Sequence, residues 1–176
     1  MSEKYRWAIL GTGAVANRFA KALANITDQA ELVAVGSRSL ESAEKFAETY
    51  GIPTAHGSYQ AVADDPNVDI VYIGTPHPFH HKDAKMCLEA GKHVLCEKAF
   101  TMNAEEAEDL IKTAREKNLF LMEAMWTRFF PVHVKIRELL ADGAIGDLQG
   151  LNIHHNYMGL PELPDVYPNE LGMGTF

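Results

Sequence analysis

The sequence predicts an α/β protein built on a doubly wound, mostly parallel sheet, followed by the start of a second, α+β domain with an antiparallel sheet. Three observations lead there. Apolar runs of strand length alternate with longer stretches of helical period, the pattern of βαβ units. A glycine-rich turn, "GTGAVA", joins the first such run to the first helical stretch. From about residue 147 the pattern changes to alternating apolar and polar residues, as a half-exposed antiparallel strand would show.

In chain order, "WAIL" (Trp7 to Leu10) is the first strand and "AVANRFAKALANI" the first helix. "ELVAVG" is the second strand, and "LESAEKFAETYG" a helix with Ser39 as its N-cap and Gly51 as its C-terminal stop. A short strand near Thr54 and a brief helix from Ser58 lead into "VDIVYIG", the most continuous buried strand of the chain. "PFHHKDAKMCLEAGK" is a helix closed by Gly91, and "HVLC" a fifth strand. Asn103, with Glu106 three residues on, caps the helix "AEEAEDLIKTAREKN", after which "LFLMEA" is a sixth strand. "FFPVHVKIRELLADG" reads as one more helix, interrupted early by Pro131. "DLQGLNIHHNYMG" then supplies the antiparallel strand, and the Pro- and Gly-rich remainder has no core of its own. The expected division is a dinucleotide-binding domain over residues 1–124, and a linking helix with the start of a substrate and oligomerisation domain over 125–176. An uncovered apolar face near Leu151 predicts self-association unless a partner covers it.

Composition narrows the function. With 47% hydrophobic and 23% charged residues the chain is of ordinary soluble, globular type. A net charge of -8 and a pI near 5.4 argue against nucleic acid, whose binding needs clustered Lys and Arg. No segment approaches the ~20 apolar residues of a membrane span, and a cytoplasmic location is expected. Cys87 and Cys96 fall in a helix and a strand, where buried reduced thiols are expected and not a disulfide.

"GTGAVA" carries the first chemistry. Following a strand and opening a helix, Gly11, Thr12, Gly13, Ala14, Val15 and Ala16 fit the phosphate loop of a Rossmann dinucleotide-binding fold. Gly11 permits the tight turn, Gly13 lets the backbone approach a pyrophosphate, and Ala16 lets the helix pack closely on the strand. Free N–H groups at the helix start face the phosphates. The second strand ends in Ser37 and Arg38, where an NAD site places Asp or Glu for the ribose 2′-hydroxyl. Arg38 can fork a 2′-phosphate or lie flat on adenine, so NADP is the expected cofactor and NAD the alternative. Glu31 lies at the wrong end of that strand for a ribose contact.

Ligands of open α/β sheets bind outside the carboxyl ends of the strands. "GTPHPFHH" (Gly74 to His81) leaves the fourth strand there, and the acid and base Glu97 and Lys98 leave the fifth. Together, "GTGAVA", "GSRS", "GTPHPFH", "AGKHVLCEKAF" and "LMEAMWTRFFP" resemble the Gfo/Idh/MocA oxidoreductases, in the branch of dihydrodiol dehydrogenases and NADP-dependent xylose dehydrogenases. The resemblance runs over nearly the whole chain. It implies hydride transfer between a nicotinamide and a sugar or vicinal diol, with Lys98 polarising the reacting oxygen and Glu97 beside it near the nicotinamide. It also implies that Thr75, Pro76, His77 and His80 line the cofactor, that Trp126 and Arg128 approach cofactor or substrate, and that the protein is a homo-oligomer. An ammonium within reach of an incipient alkoxide stabilises it most where water is excluded. A plain surface ion pair of Glu97 and Lys98, the bland alternative, would contribute only ~0 to 1 kcal/mol.

Three departures stand out. Ala99 replaces the proline of the family's E-K-P motif, so looser lysine placement is expected, and His77 stands where Asn is common. The family's proton-relaying His or Tyr lies just beyond a segment like "GMGTF", where this chain stops, and His154, His155 and Tyr157 precede that position.

Other readings fit less well. The histidines His77, His80 and His81 do not make a metal site, which needs three or four converging ligands, because their turn is where the cofactor belongs. No G-x-S-x-G elbow is present. Phe129 and Phe130 read as core packing. A non-catalytic NADP-binding regulator is a rival that the missing second domain favours and Lys98 disfavours. A methyltransferase would want an acid where Ser37 and Arg38 stand.

Overall fold

The computed structural model describes residues 4–154, which divide into two compact units, one ending at Ala124 and one beginning at Met125. In the first, β1 (Tyr5–Leu10), β2 (Ala30–Gly36), β3 (Thr54–His56), β4 (Ile70–Ile73), β5 (His93–Cys96) and β6 (Leu121–Glu123) form one sheet. Their order is β3-β2-β1-β4-β5-β6 and every pairing is parallel. The chain therefore runs outward from β1 to one edge, returns, and runs outward from β4 to the other. That reversal opens a crevice at the carboxyl ends of β1 and β4.

The strand period of two explains why both faces are covered. Leu10, Val71, Ile73 and Val94 pack with Ala84, Cys87 and Leu88 of α4 (His80–Glu89) and with Leu110 and Ala114 of α5 (Ala104–Glu116). Their neighbours Ile9, Val35 and Tyr72 point the other way, onto Ala16 and Ala20 of α1 (Ala14–Leu23) and Ala43 and Phe46 of α2 (Leu40–Tyr50). The thiols of Cys87 and Cys96 are free and buried, and burial pushes Cys87 up to about 12.

The local signals act as expected. The Ser39 hydroxyl accepts from the Ser42 amide, and Gly51 ends α2 in the left-handed conformation. Asn103 caps α5 by accepting from the Glu106 amide at 2.9 Å, while the Glu106 carboxylate reaches back to the Met102 amide at 3.1 Å. Ser58 caps the short α3 (Tyr59–Ala63). Before α4, His77–Phe79 form a 3-10 turn with Pro78 near its start, where the missing N–H costs nothing.

The second unit corrects two expectations. Pro131 starts α6 (Pro131–Ala141) instead of interrupting it, since its fixed φ and missing N–H suit the first helical position. Phe129 and Phe130 are exposed, not core: this unit's described residues hold a turn and a helix with no sheet to pack on, and Phe130 sits edge-on to Trp126 at 5.1 Å. Residues 147–154 form no strand, as none of the described residues supplies a pairing partner, and Leu151 is 72% exposed. His155, Tyr157 and "GMGTF" lie outside the described residues.

The Arg6–Asp69 pair is one source of acid stability. Arg6 donates to the Asp69 carboxylate at 2.6 and 3.0 Å, and this holds the Asp69 carboxyl below the usual carboxylate range. A depressed carboxyl means that the unfolded chain takes up its proton first, so this contribution is present above about pH 4 and is lost as pH falls through the folded value. Asp69→Asn is expected to flatten the acid limb of stability against pH, by under about 1 kcal/mol because the pair is partly exposed. Urea melts at several pH values would measure it; an unchanged acid limb would exclude the pair as its cause.

Candidate functional site

The turn out of β1 is built for close approach. Gly11 has φ +92°, and a Cβ there would lie 3.0 Å from the Gly74 carbonyl oxygen, so only glycine fits beside the end of β4. Gly13, the N-cap of α1, is different. Its φ of -80° suits any residue, and a Cβ there would meet nothing within 4 Å. Neither conformation nor packing demands glycine at 13; the space in front of it is what a Cβ would occupy. Ala16 is fully buried against the sheet, and Asn17 ties the loop by donating to the Gly13 carbonyl at 2.8 Å. Thr12, Ala14 and Val15 complete the exposed to half-buried rim.

Glu97 and Lys98 leave β5 at the same end of the sheet, and they do not pair. One Glu97 oxygen accepts from the Tyr72 hydroxyl at 2.6 Å, and the other from the Lys98 backbone amide at 3.1 Å. Burial above all, then the bond to Glu97 and its charge, holds the Tyr72 phenol well above its usual range, so it remains a donor. Tyr72 is itself fixed, its ring stacked on Phe19 at 3.9 Å. The Lys98 side chain is exposed and makes no ion pair among the described residues, although an acid is its neighbour. The Lys98–Ala99 peptide bond is cis.

The lysine's backbone is held from the loop after β4. His77 donates to the Lys98 carbonyl at 3.0 Å, and burial, then the neighbouring His80, keeps the His77 imidazole below its usual range and thus neutral. His80 is fully buried, with one ring nitrogen 2.8 Å from the Ala99 carbonyl and the other 2.7 Å from the Thr75 carbonyl. It bridges the two loops from beneath. From the other side, the Glu123 carboxylate accepts from the Phe100 amide at 3.1 Å. His80→Ala is expected to cost about 2 to 4 kcal/mol, combining a cavity with two unheld carbonyls, as read from thermal melts. A loss under about 0.5 kcal/mol would deny it the bracing role.

At the β2 side, Ser37 is buried and its amide donates to the His56 carbonyl at 3.1 Å, while Arg38 is exposed. The Thr75 hydroxyl donates to Asp83 at 2.8 Å, and burial raises the Asp83 carboxyl against the pull of that bond. Trp126 and Arg128 lie in a 3-10 turn of the second unit, over Trp126–Phe129, and are exposed there. The structure thus brings the glycine loop, the residues after β2, Thr75, Pro76, His77, Glu97 and Lys98 to one end of one sheet. Sequence reasoning passed over Tyr72, whose signal was available: a tyrosine in a buried aliphatic strand needs a partner for its hydroxyl. Asp83 and Glu123 were missed for want of any local signal. Among the described residues no group of three or more His, Cys, Asp or Glu could hold a metal, and no helix is long and apolar enough to cross a membrane.

Comparison with known proteins agrees with this geometry. Residues 5–125 match the model of the GFO_IDH_MocA family, described as an oxidoreductase family with an NAD-binding Rossmann fold. The chain is 42% identical over 97% of its length to a trans-1,2-dihydrobenzene-1,2-diol dehydrogenase of Xenopus tropicalis, and 45% identical over 82% to the one of Homo sapiens. It covers 52% and 43% of these proteins, so it spans about half the length of the curated relatives it matches. Among solved structures, an NAD binding oxidoreductase from Klebsiella pneumoniae aligns with a TM-score of 0.79 at 27% identity, over 82% of this chain and 40% of that one. A 3-ketoreductase from Actinomadura kijaniata, in complex with TDP-benzene and NADP, aligns at 0.74 and 33%, over 82% and 46%. The family match covers residues 5–125, most of this chain, and the chain belongs to the Gfo/Idh/MocA oxidoreductases, with their NAD-binding Rossmann fold.

Proposed function

We propose that this chain is the cofactor-binding part of an NADP-dependent dehydrogenase that moves a hydride between the nicotinamide and the hydroxyl-bearing carbon of a vicinal diol or sugar. The observation that carries this reading is the separation of Glu97 from Lys98. The acid is spent on Tyr72 and a backbone amide, which leaves the ammonium unneutralised at the carboxyl end of β5. The diol dehydrogenases and the NADP-bound ketoreductase among its relatives support the substrate class and the cofactor.

The nicotinamide supplies the hydride chemistry when bound. This chain's residues hold and polarise. Gly11 to Ala16 present amide hydrogens at the start of α1 to a pyrophosphate, and the open space before Gly13 admits it. Ser37 and Arg38 receive the 2′-phosphate end, with NAD the weaker ligand. Thr75, Pro76 and His77 line the crevice, and His80 acts through the loops it bridges. Lys98 donates to the reacting oxygen, and Glu97, fixed by Tyr72, sets the start of the lysine's loop. Trp126 and Arg128 of the second unit reach cofactor or substrate in the assembled enzyme. Residues 125–176 belong to a second, antiparallel-sheet domain, and the enzyme is a cytoplasmic homo-oligomer. The exposed stripe of Val132, Ile136 and Leu139 on α6 supports an association.

Fluorescence titration with NADPH and NADH of the wild type and of Arg38→Ala tests the cofactor reading. NADPH is expected to bind at least about tenfold tighter than NADH, and the substitution to erase the difference, as loss of one charged hydrogen bond predicts. Binding of neither nucleotide by a chain that melts cooperatively would overturn it. Tight binding without turnover of any diol would move the protein to the regulator reading.

A further inference from the structure

Glu97, Lys98 and Ala99 separate the end of β5 from Phe100, where the chain next packs against the core cluster that holds Val94, Cys96 and Leu110. The chain bends at Lys98 and Ala99, and both are exposed. The Lys98 ammonium makes no ion pair among the described residues, so its aim must come from the backbone that carries it. Ala99 leaves that backbone free to turn, where a proline ring would fix φ.

The backbone is nonetheless tied from two sides. From the β4 side, His77 donates to the Lys98 carbonyl at 3.0 Å, and a ring nitrogen of His80 lies 2.8 Å from the Ala99 carbonyl. From the β6 side, Glu123 accepts from the Phe100 amide at 3.1 Å. The sheet itself places that carboxylate: β5 and β6 pair with Cys96 beside Glu123, and the Ala124 amide donates to the Cys96 carbonyl at 2.7 Å. A group anchored beside residue 96 thus takes the amide of residue 100, so the chain turns back toward the strand end with Lys98 in the turn. The Cys96 thiol, which donates weakly to the Phe100 carbonyl at 3.8 Å, marks the same return. Glu123 is half-buried and in no ion pair among the described residues. The acids at the ends of β5 and β6 therefore both bind amides of the lysine's loop, and neither neutralises the lysine.

We propose that Glu123 is a positioning residue for Lys98: by holding the Phe100 amide it fixes the turn that aims the ammonium, the restraint that Ala99 does not supply. The inference rests on the reading of Lys98 as donor to the reacting oxygen, and adds a residue that acts through the loop and not on the reacting atoms. An amide bond to a carboxylate is roughly twice as strong as one to a neutral acceptor, which suits a single contact that must hold a turn. The aim matters because a displacement of about 1 Å at a reacting group can cost about 100-fold in rate.

The test combines turnover of a vicinal diol with NADP, NADPH titration and NMR relaxation of the Lys98 amide in the full chain. It compares wild type, Glu123→Gln, Glu123→Ala, and Glu123→Ala combined with Ala99→Pro. Glu123→Ala is expected to lower kcat about tenfold with NADPH affinity within about threefold, as loss of one hydrogen bond to a charged group predicts. The order parameter of the Lys98 amide should fall from about 0.85 to below about 0.6. Glu123→Gln keeps an acceptor oxygen and should recover most of both. Ala99→Pro should restore them as well, since its ring fixes φ and the Ala99 amide donates no hydrogen bond among the described residues that proline would forfeit. A residue that only supported the fold would lower the melting temperature and gain nothing from a proline in a different loop. Full turnover with an unchanged Lys98 amide in Glu123→Ala overturns the inference, and so does a loss that Ala99→Pro leaves in place. If wild type oxidises no diol, the dehydrogenase reading fails by itself, while the Lys98 amide still decides whether Glu123 holds the loop.

Discussion

Gly13→Ala is expected to weaken NADPH binding by about 100-fold or more while changing stability by less than about 1 kcal/mol. The loss corresponds to roughly two charge-assisted hydrogen bonds between helix-start amides and phosphate, which the backbone can make only at close approach. Stability stays because a Cβ at 13 meets no atom of the protein and the backbone there is extended. Gly11→Ala serves as the contrast. Its φ of +92° and the Gly74 carbonyl 3.0 Å from the new Cβ should cost about 2 to 3 kcal/mol, whatever is bound. Thermal melts and NADPH titrations on both variants check the pair. A Gly13→Ala protein with unimpaired binding would remove the phosphate loop from the site.

Lys98→Met is expected to lower diol oxidation about 100- to 1,000-fold while NADPH affinity stays within about threefold. Removing a donor aimed at developing oxygen charge costs that much where the donor acts mainly in the transition state. The side chain is exposed and makes no ion pair among the described residues, so its loss should leave the melting temperature unchanged. Tyr72→Phe should have a smaller effect of the same kind, about tenfold, by freeing Glu97 to turn toward the ammonium and neutralise it. Turnover measured as NADPH formation, alongside titration, separates the outcomes. Unchanged turnover in Lys98→Met would withdraw its role, and an equal loss of binding would make it a cofactor contact only.

Much of the first unit was legible in one dimension. Strand-length apolar runs, Ser39, Ser58 and Asn103 at helix starts and Gly51 at a helix end are local signals, and local interactions satisfy them. "GTGAVA" was legible because the strand before it and the helix after it restrict what a glycine turn can do there. The second unit was poorly legible. An alternating stretch such as "DLQGLNIHH" becomes a strand only if another strand pairs with it, and residues 147–154 have none among the described residues. Phe129 and Phe130 had the composition of core without a surface to bury against. The family resemblance put His80 in the cofactor lining; in the structure it is fully buried, with its ring on the carbonyls of Thr75 and Ala99.

The amino-acid sequence by itself determined the identity and order of the elements, the parallel sheet and the end of it where the chemistry sits, since period, caps and chirality act over short distances. It also determined that an acid and a base would leave β5 together. What each does was decided only by tertiary structure. Tyr72 is 25 residues from Glu97, and it finds the carboxylate because β4 pairs with β5 in a register that sets Tyr72 beside Leu95. Glu97, two residues on from Leu95, then projects to the same face of the sheet as Tyr72. That contact draws the acid away from the base, and a one-residue change of register would have turned Tyr72 to the opposite face and left Glu97 to Lys98.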